Sequence, residues 1–375
     1  MTPGVPGRLV APAYGARSLA DLLPGVATAL GVDALGRVDL ELPEASAYVV
    51  VLIDGLGHDQ LAQHRSQAPY LHSLLGRDPL TATVPSTTAT SLTSLGTALP
   101  PGRHGVAGFI TRVPETGELL NALFWDQPVD PLAWQPHPTA FQRLEAAGVA
   151  TTVVSKAEFA GSGLTRCAHR GAAFVGADDV TERVAGAVAA AATRPSVTYV
   201  YDGDLDWHGH RAGVDSARWR HQLRDIDEDV QELRDALPDD VRVVVTADHG
   251  MVDTTPETAL DLDGVAGLRD GVAQLGGEAR FRQVWCHPGA VGDVAATWRE
   301  QLGDRATVLT RDEAIDLGWF GRAEASVRPR LGEVLAVAHG TWALFSSQDY
   351  GFETSLVGLH GSLTPEEMHV PLLVT

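Results

Sequence analysis

The chain has 375 residues and a mass of 39.7 kDa, of which 44% are hydrophobic and 20% charged, enough for one large α/β domain or a domain carrying a smaller insertion. A formal net charge of −20 argues against a nucleic-acid duplex as partner, because phosphate backbones need a basic surface. No stretch reaches the roughly 20 apolar residues of a membrane span, and the opening MTPGVPGRLVAPAYGARSL lacks the apolar core of a signal peptide, so a cytoplasmic location away from membranes is the expectation.

Residues 1–46 are punctuated by Pro and Gly and hold one expected helix, Ser18 to Leu30. They are expected to pack on the outside of the core as an N-terminal extension. Ala47 to Ile53 is a near-continuous apolar run, the pattern of a parallel strand buried on both faces. Asp54 follows it, and Gly55 and Gly57 let the backbone turn closely there. In TVPSTTATSLTSLGTALPPGRHG, Thr83 to Gly105, Val84-Pro85 closes an extended segment. Ser86, Thr87 and Thr88 are each competent N-caps. Ala89, Leu92, Thr93, Leu95 and Leu99 recur at helical spacing, with Gly96 and Pro100-Pro101 as the stop. A hydroxyl at that helix start sits among unpaired N–H groups at the positive end of the dipole, where an anion is already partly stabilised. Alone, such a cluster reads as an ordinary cap.

GFITRV and LLNALFW read as a hairpin joined through Pro114 to Gly117. Helices at Ala140–Ala147 and Val180–Ala192 then alternate with strands at Thr151–Ser155, Ala172–Val175 and Val197–Tyr201, and a charged helix, Arg218–Ala236, leads into a strand at Val241–Thr246. This alternation predicts an α/β fold with a doubly wound, mostly parallel sheet and helices on both faces. Residues 263–330 change register into a β-α-β-like unit and are expected to form a small inserted α+β cap over the site. The main domain would comprise residues 47–262 and 331–375, with VPLLVT as its last strand.

Four segments end a β-like apolar run in metal-ligand residue types: AYVVVLIDGLG with Asp54, VTYVYDGDLDWHGH with Asp204, Asp206, His208 and His210, of which Asp206 and His210 are spaced one helical turn apart, VRVVVTADHGM with Asp248 and His249, and VGLHGS with His360. Carboxyl ends of strands in an open α/β sheet present their ligands to one crevice. Each alone has a bland reading, as an N-cap, a polar loop or a core histidine; the convergence is the signal. Oxygen and imidazole ligands without thiolates suit Zn²⁺, with Mn²⁺ or Fe fitting less well. Cys167 and Cys286 have no C-x-x-C spacing, and Lys156, the only lysine, reads as compositional bias.

The order of these residues is an Asp, a Thr followed sixteen residues later by His-Gly, D-x-x-x-H with Gly before the His, DHG, and a final HG. It resembles the alkaline phosphatase superfamily and, within it, the nucleotide pyrophosphatase/phosphodiesterase and phosphonoacetate hydrolase branch. The resemblance runs from about Ala47 to the C-terminus, the cap excepted. It implies two zinc ions, one held by Asp206, His210 and His360, the other by Asp54, Asp248 and His249, with Thr88 as a nucleophile that touches the second. Thr87 is chemically equivalent, and the sixteen-residue count to His104 selects Thr88. Where the branch usually carries an Asn three residues after the nucleophile, this chain has Ser91, a single-donor phosphoryl-oxygen ligand.

The implied activity is hydrolysis of a phosphodiester or pyrophosphate bond in a small, nucleotide-type anion through a covalent threonine intermediate. A phosphonate hydrolase, a phosphomonoesterase and a metal-binding protein without turnover are the alternatives. A diester preference is expected because a monoester dianion needs an extra cation, and none precedes Arg103 near Thr88. Trp207, Phe159 and the cap's Trp285 could instead stack on a second ester group.

Overall fold

The computed structural model describes residues 9–375; the first eight residues of the expected N-terminal extension lie outside the described residues. In chain order come α1 (Leu19–Ala29), β1 (Ala47–Ile53), α2 (Thr88–Thr97), α3 (Ala140–Ala146), β2 (Ala150–Ser155), β3 (Ala173–Gly176), α4 (Val180–Ala190), β4 (Ser196–Asp202), α5 (Asp204–Ala212), α6 (Ala217–Ala236) and β5 (Val241–Thr246). A second group follows: β6 (Val272–Glu278), β7 (Phe281–Cys286), α7 (Val291–Leu302), β8 (Ala306–Thr310), β9 (Val334–Ala338) and finally β10 (Leu373–Val374).

The main sheet has six strands in the order β10-β5-β1-β4-β2-β3, all parallel except β10 at the β5 edge. Every residue of β1 is buried, as its unbroken apolar run requires when helices cover both faces. Alternation sorts the side chains. Val51, Ile53, Val200 and Asp202 face α4 and α6, whereas Val153, Tyr199 and Tyr201 face the side that carries Leu92 of α2. The doubly wound architecture with helices on both faces is therefore the fold of this chain.

Two expectations need correction. Helix α1 is no outer appendage: Leu19, Leu22, Leu23 and Val26 are fully buried in the main core, and the helix packs on α2. Its apolar residues surround the helix instead of forming one stripe, which is the mark of an inner layer. The unit after residue 263 is a four-stranded sheet, β6-β7-β9-β8, with every pairing antiparallel; β7 and β8, joined by α7, run parallel to each other with β9 between them, so the expected β-α-β unit is present in split form. It also runs past residue 330, because β9 lies between β7 and β8. Along β9, Val334, Ala336 and Ala338 join a separate core with Trp298 of α7, while Leu335 and Val337 join the main core. No described helix is long and apolar enough to cross a membrane.

Candidate active site

Strands β1, β4 and β5 are neighbours whose last residues lie level, Ile53 beside Asp202 and Leu52 beside Thr246. The residue types that follow them therefore meet at one rim. Asp54 comes directly after β1, Asp248 and His249 just after β5, and β4 runs into α5, whose first turns carry Asp206 and His210. One helical turn brings His210 Nε2 to 3.3 Å from Asp206 Oδ2. Gly55 is needed at the junction: its φ is +77°, and a Cβ there would lie 3.1 Å from the Cα and Cβ of Asp206. His360, on the loop after the second sheet, stacks on His249 with ring centroids 3.6 Å apart and planes 15° apart.

All three imidazoles are oriented in the same way. Nδ1 lies 2.7 Å from the Gly358 carbonyl in His210, 3.0 Å from the Gly250 carbonyl in His249 and 3.0 Å from the Ser86 carbonyl in His360. A carbonyl can only accept, so Nδ1 donates and Nε2 is left free as a ligand. These Nε2 atoms face carboxylates that lack partners of their own. Asp54 Oδ1, Asp206 Oδ1 and Asp248 Oδ2 are buried without any hydrogen bond. Ligand atoms of Asp206, His210 and His360, and of Asp54, Asp206 and His249, lie within 4.8 Å of one another in each group. Asp248 Oδ2 is 3.4 Å from His249 Nε2. Asp206 thus stands between the two groups. Buried polar atoms are ordinarily satisfied, and three orphaned carboxylate oxygens facing free imidazole nitrogens fit divalent cations.

The electrostatics agree. Burial, then the charges of Asp248 and Asp206, push the Asp54 carboxyl well above its usual range, and burial raises Asp248. Burial would raise Asp206 too, but His210, His360 and His249 outweigh it and hold it low. Burial followed by the charge of His249 pushes His360 well down. Positive charge among these groups is what the cluster lacks.

Thr88 is the first residue of α2, with Thr87 as the N-cap. Its hydroxyl lies 3.4 Å from Asp54 Oδ2 and 3.2 Å from His249 Nε2. Thr87 faces the other way, toward Glu278, so geometry separates two residues that chemistry cannot. Ser91 does not reach the site as expected. Its hydroxyl is buried against Thr83 Oγ1 at 3.1 Å, and Leu92, a full turn from Thr88, lines the cavity in its place. Sequence reasoning also missed two groups. Tyr201 donates its hydroxyl to Asp54 Oδ2. Glu278, at the end of β6, is buried with Oε1 unpartnered and Oε2 3.7 Å from His360 Nδ1; burial pushes its carboxyl well up. Tyr201 could have been noticed as a polar-tipped residue at a strand end, whereas Glu278 belongs to a different sheet and carries no local signal.

Two cavities meet at Thr88, Asp206, Leu123, Phe124 and Trp207. The first, about 260 Å³, is walled by Leu92, Phe159, Phe174, Tyr199 and Tyr201 on the Asp54 side. The second, about 460 Å³, lies on the His210 and His360 side, with Phe109, Arg211, Glu278, Phe352 and Leu356. Trp207 and Phe159 are exposed where they line the cavities. Trp285 is not: it is buried in β7 and lines a separate hollow with Arg112 and Arg311. Lys156 pairs with Asp204 at 3.1 Å and Arg103 with Glu324 at 3.4 Å.

The fold has solved counterparts. Murine ectonucleotide pyrophosphatase/phosphodiesterase 5, as an inactive variant in complex with AMP, superposes with a TM-score of 0.69 at 18% identity over 88% of each chain. A second structure of the murine protein gives 0.67 at 19% identity, and the human protein 0.67 at 18%, each over 87% of both chains. No curated protein sequence matches the chain. The family profile of type I phosphodiesterases / nucleotide pyrophosphatases matches residues 48–363, which takes in every candidate ligand and Thr88, and the chain belongs to that family.

Proposed function

We propose that the chain hydrolyses phosphodiester or pyrophosphate bonds of nucleotide-type substrates, with Thr88 as nucleophile and two divalent cations, Zn²⁺ foremost and Mn²⁺ as the alternative. One ion would be held by Asp54, Asp248 and His249, the other by Asp206, His210 and His360. The observation that carries this reading is the Thr88 hydroxyl beside Asp54 and His249, in a cluster where Asp54, Asp206 and Asp248 each keep one buried oxygen without a hydrogen bond and three imidazoles turn Nε2 inward. Such ions, when bound, make an oxygen nucleophile more acidic and neutralise charge on phosphoryl oxygens.

The chain's own residues supply the rest. Thr88 opens a helix, so the first-turn N–H groups, which have no intrahelical acceptor, favour an anion beside its hydroxyl. As the Thr88 Oγ1–P bond forms, the P–O bond to the departing group breaks, and water later cleaves the Oγ1–P ester and restores the hydroxyl. Attack from the Asp54 and His249 side sends the departing oxygen toward His210 and His360. The aromatic first cavity then receives the nucleoside, whose base can stack on its rings; the murine relative was solved in complex with a nucleotide, AMP.

The test compares kcat/KM for p-nitrophenyl phosphate, bis-p-nitrophenyl phosphate and the nitrophenyl ester of thymidine monophosphate, with metal content measured in the same samples. Diesters should lead, chelation should abolish turnover, and Thr88→Ala should lose roughly a thousandfold or more while the metal stays bound. A leading monoester would move the assignment to a phosphomonoesterase. Undiminished turnover in metal-free protein would overturn the two-cation site, and a dead Thr87→Ala with a normal Thr88→Ala would shift the nucleophile by one residue.

A further inference from the structure

Arg211 follows His210 and lines the same cavity as His210 and His360. Its Cζ lies 3.7 Å from the ring centroid of Trp207, which follows Asp206. This stacked pair, one turn apart on α5, therefore runs beside the Asp206 and His210 pair and is carried by the same backbone. Stacking fixes the plane of a guanidinium and leaves its edge N–H groups for an oxyanion, which they can grip in bidentate fashion.

Among the described residues the Arg211 guanidinium has no ion pair or hydrogen bond, although Lys156 has Asp204, Arg103 has Glu324 and Arg282 has Glu353. The side chain is exposed, so the guanidinium edge is open to a ligand from solvent. Among the described residues no other Arg or Lys lines either cavity. The cation therefore sits on one side of Thr88 only, the side toward which the departing oxygen leaves. Beyond it, Phe109, Phe124, Phe352 and Leu356 offer an apolar face.

We propose that Arg211 binds an ionised phosphate on the departing half of the substrate. Pyrophosphate-linked nucleotides whose departing half is itself a nucleotide are thereby preferred over diesters with a neutral departing alcohol. This selectivity rests on the hydrolase reading above.

The experiment uses two substrates that transfer the same adenylate. In P1,P2-diadenosine diphosphate the departing half is AMP; in the p-nitrophenyl ester of AMP it is nitrophenol. Comparing variant with wild type on each substrate cancels their intrinsic reactivities. For Arg211→Gln, the loss in kcat/KM on diadenosine diphosphate should exceed the loss on the nitrophenyl ester by about tenfold or more, and Arg211→Lys should recover only part of it. Affinity of Thr88→Ala protein for diadenosine diphosphate, measured by calorimetry, should fall by a similar factor when Arg211→Gln is added. Equal losses on both substrates, or none on either, would overturn the role of Arg211 and leave the hydrolase reading standing. Absence of wild-type turnover on both substrates would sink the two together.

Discussion

At Asp54 two hydroxyls, from Tyr201 and Thr88, address Oδ2, while Oδ1 stays bare. The Tyr201 bond fixes which oxygen faces the cluster, so Tyr201→Phe should weaken divalent-metal affinity about 10–100-fold without touching Thr88. Competition with a chelating dye measures this, and an unchanged affinity would leave Tyr201 as a wall of the first cavity only. The candidate ligands were legible because each follows an apolar run, and strand ends of a parallel sheet have a known destination. Ser91 was misjudged because a count along the chain does not say which way a side chain turns; Thr83, in the preceding segment, claims its hydroxyl. Tyr201 was visible as a letter, but its hydroxyl has meaning only once β4 lies beside β1.

At the scale of elements, the second sheet is tied to the site by the turn between β6 and β7. Arg280 Nε and Nη2 donate to the two oxygens of Glu367 at 2.7 and 2.8 Å, both residues being fully buried. The same carboxylate accepts from the Ser362 N–H at 2.9 Å and the Thr364 hydroxyl at 2.6 Å. That network closes the loop just after His360. Arg280→Ala would strand a buried carboxylate and should destabilise the fold by about 3–5 kcal/mol, read as a lower urea midpoint; a change under about 1 kcal/mol would mean that water reaches Glu367. The strands of this sheet were largely legible, but their partners were not. An apolar run such as VLAVA reports burial on two faces and says nothing of which sheet provides them, so a boundary at residue 330 leaves β9 with the main domain although it pairs in the second sheet.

Across the whole molecule, two histidines that are not candidate ligands tie stability to pH; His169 lines the first cavity. Burial, then the charges of His137 and Arg330, pushes His104 down to about 3, and burial pushes His169 down to about 4. His104 Nδ1 accepts the Val106 N–H at 3.2 Å and Nε2 donates to Ser94 Oγ at 2.8 Å, so a second ring proton would set two donors face to face. Below an unfolded value near 6.5 the unfolded chain takes up protons that the native one refuses. Their contribution is complete above about pH 6.5 and shrinks, by up to about 1.4 kcal/mol per pH unit for each histidine, as pH falls toward 4. His169 packs against Phe141 and Tyr199 with Nε2 unpartnered, so His169→Phe should keep stability at pH 7 and lose less of it by pH 5 than wild type. Parallel pH profiles for the two proteins would show that His169 takes up its proton without loss of the fold.

The carbonyl anchors of the three candidate ligand histidines shape what substitution can damage. A side chain that orients a ligand can be deleted by one codon change; a backbone carbonyl cannot. What remains vulnerable is the path of the main chain. At Gly250 a Cβ would lie 2.0 Å from the Glu366 carbonyl oxygen, and at Gly358 it would lie 2.6 Å from that of Gly209, whereas Ser86 already carries a side chain. A saturation library scored for metal retention should therefore accept only small replacements at Ser86, which is fully buried with its hydroxyl bonded to Ser362 and Gly361, and almost none at the two glycines, so that much of the mutational fragility of this centre is written in residues that have no functional group at all.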